Sequence, residues 1–182
     1  MARKPDPQVG ARIKQAAVEL LFTRGLEFTM DDVARAASVG RASVFRRYPA
    51  KRDLLLDALG TAMDAQIAMP DTGSFAGDLR VVVTETLEAW QATAAMARQI
   101  YGEAGRDPAV AEVLRSAMRS RMERAWGIYD RALARGEVRP DADLWLLSDM
   151  LVGLVVYRGL LDKPLPTAGE LVEALLHGFA PH

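Results

Sequence analysis

The chain has no cysteine, and only two of its 182 residues are histidine. The first absence excludes disulfide frameworks and thiolate chemistry, and suits a reducing compartment. The second leaves the commonest general base and metal ligand only at His177 and His182, both near the C-terminal extreme. No Gly-rich phosphate loop, metal-ligand cluster or nucleophile–base pair is legible, so no catalytic residue, metal or cofactor is expected and an enzyme is the weaker reading. Long apolar runs are also missing. The most apolar segment, "MLVGLVVY" (Met150–Tyr157), is closed off by Asp149 and Arg158, well short of the ~20 residues that span a bilayer. The opening "MARKPDPQVG" has basic residues with no apolar run behind them, so no secretory signal is read there. A cytoplasmic protein without a membrane partner is expected. Strict period-two alternation is absent too, which argues against strands.

What is present is a globular composition, 50% hydrophobic and 26% charged, in a chain long enough to bury a core. The net charge of −1 hides an asymmetry. Residues 1–60 hold 11 Lys/Arg against 7 Asp/Glu, whereas residues 61–182 hold 12 against 17. A basic front on an acidic body suits a polyanion-binding module joined to something else.

Helical periodicity, punctuated by Pro and Gly, predicts an all-α protein of about nine helices. The first runs from about Gln8 to Arg24 and stops at Gly25. The second opens at Thr29, which with Asp32 makes a capping-box-like start. After the tight break "SVG", a very short helix carries "RASVFRRY" up to Pro49, and a fourth runs from Lys51 towards Pro70. "PDTGS" (70–74) is the best turn cluster and is read as a hinge. Helices are then expected over 75–95, to about Gly105, from Asp107–Pro108 to Arg135, over 142–161 and, capped by Thr167 and Glu170, over 168–179. The expected division is an N-terminal domain over 1–50, the start of a connecting helix over 51–69, and a C-terminal domain over 70–182.

Helix, tight turn and short helix form a helix-turn-helix, whose second helix lies in the DNA major groove. Val44 and Tyr48 share one face of the short helix and can pack inward with Val39 against Val33 and Ala37. Arg41, Ala42, Phe45 and Arg46 then face outward, flanked by Ser43 and Arg47. Small side chains at 42 and 43 permit close approach, and arginine bonds guanine through two hydrogen bonds. Thr29 and Gly40 sit at helix starts, where backbone N–H groups favour phosphate. Lys51, past the proline, is within reach of another phosphate. Arg3 and Lys4 suggest a disordered tail or a minor-groove arm.

These residues carry a resemblance. "AAVELLFTRGL", "DDVARAASVG" and "VFRRYPAKRDLL", in that order over residues 10–60, resemble the N-terminal domain of the TetR family of bacterial transcriptional regulators. The resemblance implies a dimer of nine-helix, all-α subunits with a ligand-responsive C-terminal domain. It also implies DNA contact at Thr29, Arg41, Ala42, Ser43, Phe45, Arg46, Tyr48 and Lys51. Ser38, Gly40, Ala42, Phe45 and Ala50 depart from the usual pattern, and Phe45 lacks the hydroxyl of the tyrosine common there.

Beyond residue 60 there are patterns but no motifs. Apolar residues from Val110 to Leu133 step by three or four along one helix face, which serves core packing or a lined cavity. Trp90, Met122, Trp126 and Tyr129 are candidate lining residues for an unidentified small-molecule effector, because the resembling family binds its inducer in this part of the chain. Tyr157 supplies further aromatic bulk. Asp149 and Arg158, polar residues in an apolar helix, either fix a polar end of such a ligand or find partners between helices or subunits. A helix apolar all round needs cover all round. The last two helices, with Leu171, Val172, Leu175, Leu176 and Phe179 on the final one, are therefore the expected homodimer surface. The expectation is a ligand-responsive repressor of a pseudo-palindromic operator in double-stranded DNA. A regulator without an effector, an activator, and a bundle that binds only protein partners are the alternatives.

Overall fold

The computed structural model describes residues 7–63 and 69–177. Arg3, Lys4, the end of the expected fourth helix over 64–68, Phe179 and His182 lie outside the described residues. Among the described residues there are eight α-helices, one 3-10 turn and no strand. They are α1 (Pro7–Arg24), a 3-10 turn (Gly25–Glu27), α2 (Met30–Ala36), α3 (Arg41–Phe45), α4 (Lys51–Met63), α5 (Phe75–Ala104), α6 (Pro108–Ala134), α7 (Leu144–Leu160) and α8 (Ala168–His177). The fold is all-α, as the periodicity requires. One break expected from sequence is not there: residues 75–104 form a single helix. "QATAAMARQIY" (91–101) contains neither proline nor glycine and is rich in alanine, so nothing local interrupts it.

The chain packs as two compact units, one over Met1–Ala65 and Ala95–Ala117, the other over Gln66–Ala94 and Met118–His182. The first unit therefore takes in the end of α5 and the start of α6.

In the first unit, Ile13, Ala16, Ala17 and Leu21 recur on one face of α1 and are buried. Gly25 ends the helix at φ 60°, the left-handed conformation that glycine adopts without a Cβ clash. Phe28, fully buried, fixes the entry into α2. Thr29 and Asp32 then cap that helix reciprocally: Asp32 N–H donates to Thr29 Oγ1 (3.1 Å) and Thr29 N–H donates to Asp32 Oδ2 (2.9 Å). The Thr29 hydroxyl and N–H, both donating to Asp32 Oδ2, hold that carboxyl down to about 2. The tight break after α2 uses Ser38 at φ 52°, a left-handed backbone that costs a non-glycine residue about 1 kcal/mol. Val33, Val44, Leu54 and Ala58 complete the core with Met96, Ile100 and Val110.

In the second unit, Leu79, Val83 and Leu87 of α5 are buried, as are Ile128 and Ala132 of α6, Leu151 and Val155 of α7, and Leu171 and Val172 of α8. Asp78, fully buried, anchors the loop before α5. Its Oδ1 accepts from Thr72 N–H (2.7 Å) and Thr72 Oγ1 (2.8 Å), while Arg131 Nη2 approaches Oδ2 at 3.6 Å. Burial alone would raise that carboxyl; the Thr72 bonds and Arg131 outweigh it and hold it below its ordinary value. Asp143 caps α7, and Thr167 and Glu170 form a capping box on α8. No described helix is long and apolar enough to cross a membrane.

Trp90 of α5 lies directly on Gly159 of α7, where a Cβ would meet the indole at 2.0 Å. Gly159→Ala should overpack this contact and destabilise the protein by about 1–3 kcal/mol in chemical denaturation. Gly127→Ala, on an exposed stretch of α6 where the nearest atom to a new Cβ is 3.7 Å away, should instead stabilise by about 0.5–1 kcal/mol.

Candidate nucleic-acid interface

The geometry of α3 follows from one residue. Val44 is fully buried, and the 100° step of a helix turns Ala42, Phe45 and Arg46 away from it; Arg41 is exposed with them as the first residue of the helix. Arg41 Nε meets Asp31 Oδ1 of α2 at 3.1 Å, and its guanidinium stands 5.2 Å from the centre of the Phe45 ring. Both members of that ion pair are exposed, so it is weak and open to exchange for a stronger acceptor. Among the described residues no hydrogen bond or ion pair engages the Arg46 side chain. Gly40 precedes α3 with ordinary extended backbone and open space around it.

Other residues singled out in the sequence turn inward. Ser43 is half-buried, and its carbonyl accepts from Arg47 Nη1 at 3.4 Å. The Arg47 Nε lies 3.5 Å from where a Cβ on Gly10 of α1 would stand. Tyr48 OH donates to Asp57 Oδ2 of α4 (2.5 Å), and Lys14 Nζ of α1 pairs with the other oxygen at 2.9 Å. Lys51 Nζ donates to the Leu26 carbonyl (2.6 Å) and stands 5.3 Å from the Phe28 ring centre. The Thr29 hydroxyl, though exposed, donates to Asp32 (2.7 Å). The structure thus gathers Arg41, Ala42, Phe45 and Arg46 on one outward surface, while Arg47, Tyr48 and Lys51 brace the helices that hold it.

Met122 and Tyr129 of α6 line one apolar cavity of about 100 Å³, with Phe75, Leu79 and Val82 of α5 and Leu144, Leu147 and Leu151 of α7. Tyr129 OH donates to the Arg139 carbonyl (3.2 Å), which orients the ring. Trp90 is buried on Gly159, Trp126 is exposed beside Tyr129, and Asp149 is exposed. Tyr157 is exposed with Lys163 Nζ 4.7 Å from its ring centre. None of these four lines that cavity. Arg158 donates to the Pro164 carbonyl, so it ties down the turn after α7. Among the described residues no group of His, Cys, Asp and Glu is placed to hold a metal ion.

Burial first, and then the Asp57 carboxylate, push the Tyr48 hydroxyl up to about 12. A raised value means that the neutral form is favoured on folding, so its contribution is full below pH ~10 and disappears between there and about 12. Titration of tyrosinate absorbance should show one late-ionising tyrosine that is missing in Tyr48→Phe. That variant should lose about 0.5–1.5 kcal/mol of stability at neutral pH.

Comparison with known proteins agrees with this arrangement. Residues 13–58 match "Bacterial regulatory proteins, tetR family", and residues 69–177 match "Tetracyclin repressor-like, C-terminal domain". The chain is 32% identical to the HTH-type transcriptional regulator AqdR of Rhodococcus erythropolis, over 93% of this chain and 86% of that one. It is 29% identical to the DNA-binding transcriptional repressor TetR of Mycobacteroides abscessus, over 91% and 90% of the two chains. The crystal structure of the TetR family transcription regulator SCO0332 superposes with a TM-score of 0.77 at 30% identity, covering 96% of this chain and all of that one. With matches to both halves and a helix-turn-helix of this geometry, the chain belongs to the TetR family of bacterial transcriptional regulators.

Proposed function

We propose that this protein is a dimeric, effector-responsive repressor that acts in the cytoplasm on a pseudo-palindromic DNA operator. The observation that carries the reading is the outward face of α3, with Arg41 and Arg46 exposed around Ala42 and Phe45. A major groove admits such a helix, and either arginine can grip the O6 and N7 of guanine. Phe45, with no hydroxyl, offers apolar contact, as to a thymine methyl. Thr29, exposed at the start of α2, is a candidate for phosphate contact, its hydroxyl exchanging the Asp32 carboxylate for the phosphate. Lys51 and Tyr48 already have protein partners and would meet phosphate only by exchanging them.

One short helix reads too few base pairs for specificity, so two are needed about one duplex turn apart. The surface for pairing is on α7. Leu146, Met150, Tyr157 and Leu160 step by four, seven and three residues along the helix, which keeps them on one face. Each is 44% or more exposed. An isologous contact between two copies would cover this stripe.

The apolar cavity behind Met122 and Tyr129 supports a largely apolar effector. At about 100 Å³ it is smaller than the ~300 Å³ or more of ordinary ligand sites. A ligand of that size must favour a different, opened form, which is the differential affinity that a switch requires. Within the same unit, Arg124 keeps Nε and Nη2 buried without a hydrogen-bond partner, which favours an effector bearing an acceptor group. Repression is the default outcome of a dimer on a promoter, and the relative from Mycobacteroides abscessus is named a repressor.

Selection of genomic fragments by the purified protein should return a two-fold symmetric site. On that site Arg46→Ala should cost ~1–3 kcal/mol and relax preference at one base pair per half-site; an equal loss on every sequence would mean that Arg46 reads no base. Leu146→Glu with Met150→Glu should yield a monomer in sedimentation that no longer distinguishes the full site from one half.

A further inference from the structure

Leu26, in the turn between α1 and α2, has both sides of its peptide held by distant side chains. Its N–H donates to Gln99 Oε1 near the end of α5 (2.8 Å), and its carbonyl accepts from Lys51 Nζ at the start of α4 (2.6 Å). Beside it, a Cβ on Gly25 would lie 2.0 Å from the Gln99 Oε1. The Gln99 amide therefore rests directly on the glycine backbone. The next residue along α4 makes a second tie. Arg52 Nε donates to Asp107 Oδ2 (2.8 Å) and Arg52 Nη2 to Asp107 Oδ1 (2.7 Å), a paired geometry that fixes direction as well as distance. Asp107 also caps α6 by accepting from Ala109 N–H (2.8 Å).

These ties do little for stability by themselves, because the Arg52 side chain is 55% exposed. Apolar packing also holds the join, since Met96, Ile100 and Val110 are buried in one core with Leu54 and Ala58, and a cleft of about 340 Å³ lies beside that core between Leu26, Lys51, Arg52, Leu55, Glu103 and Asp107. The apolar contacts supply adhesion without direction, whereas the polar bonds at the cleft are directional, so these ties set an angle more than they set a melting point. The helices it grips, α5 and α6, are the same ones that supply Phe75, Leu79, Met122 and Tyr129 to the apolar cavity.

We propose that Gln99 and Asp107 are positioning residues for DNA reading. They fix the angle at which the frame of α1 to α4 is held to the α5–α6 corner, and with it the separation of the two reading helices in a dimer. This rests on the dimeric, DNA-reading function proposed above. Asp107→Asn keeps a capping side chain for α6 while removing the charge that Arg52 grips, and Gln99→Ala removes the acceptor over Leu26. Gln99→Glu retains an acceptor oxygen and serves as the conservative control.

The test is a binding titration of the full chain on three duplexes: the selected operator, the same operator with two base pairs inserted at its centre, and a single half-site. The wild-type protein should prefer the native spacing. Asp107→Asn and Gln99→Ala should each reduce that preference about fivefold or more, with half-site affinity and thermal midpoint close to wild type, and Gln99→Glu should restore it. An unchanged spacing preference in both variants overturns the proposal. So does a loss shared equally by the half-site, which marks a merely structural role. A wild-type protein that ignores spacing altogether overturns the dimeric reading and this proposal with it.

Discussion

Five residues of helix form too few internal hydrogen bonds to persist in water, so α3 exists only while its surroundings hold it. Val44 is what they hold: it is fully buried in the core with Phe28, Val33 and Leu54. Burying such a side chain is worth about 1.5–3 kcal/mol, a large share of what a helix this short needs. The same contact decides which residues face out. Ser38, kept in a left-handed backbone at the turn, sets the direction in which α3 leaves α2. That strain is tolerated because the core on either side of it over-determines the path.

The positive charges near the front of the chain divide by task. Arg41 and Arg46 stand on the outward face. Arg47, Lys51 and Arg52 turn back, to the Ser43 carbonyl, the Leu26 carbonyl and the Asp107 carboxylate respectively. A count of excess charge therefore overstates the surface available to DNA. The inward cations tie the elements of the frame to one another. Tyr48 has the same character, tying α3 to α4 through Asp57 while Lys14 draws in α1.

What the sequence disclosed was chemistry confined to neighbouring residues. Thr29 with Asp32, Thr167 with Glu170, and Asp107 before Pro108 all mark helix starts at which the structure finds caps. The helix-turn-helix was legible for the same reason, since Val44 and the turn before it lie within a few residues of each other. The continuous α5 was not, because the expected break rested on spacing alone. The partners of Lys51, Arg52 and Gln99 lie 25, 55 and 73 residues away, and no local pattern announces them. Asp107 was readable as a cap but not as the acceptor for Arg52. Bulk misleads in a similar way. Among the aromatic residues of the C-terminal region, Tyr129 lines the cavity while Trp90 fills the space above Gly159 and Trp126 faces solvent. Those differences depend on which helix lies opposite, a matter that periodicity cannot settle.

The claim at the centre is that α3 enters the major groove twice, once per subunit. Methylation interference on the selected duplex tests it most directly, because the N7 of guanine lies in that groove. Interference should fall on two clusters of guanines, about one helical turn apart and related by two-fold symmetry. Interference confined to minor-groove adenines, or a single cluster with no symmetry mate, would contradict the account.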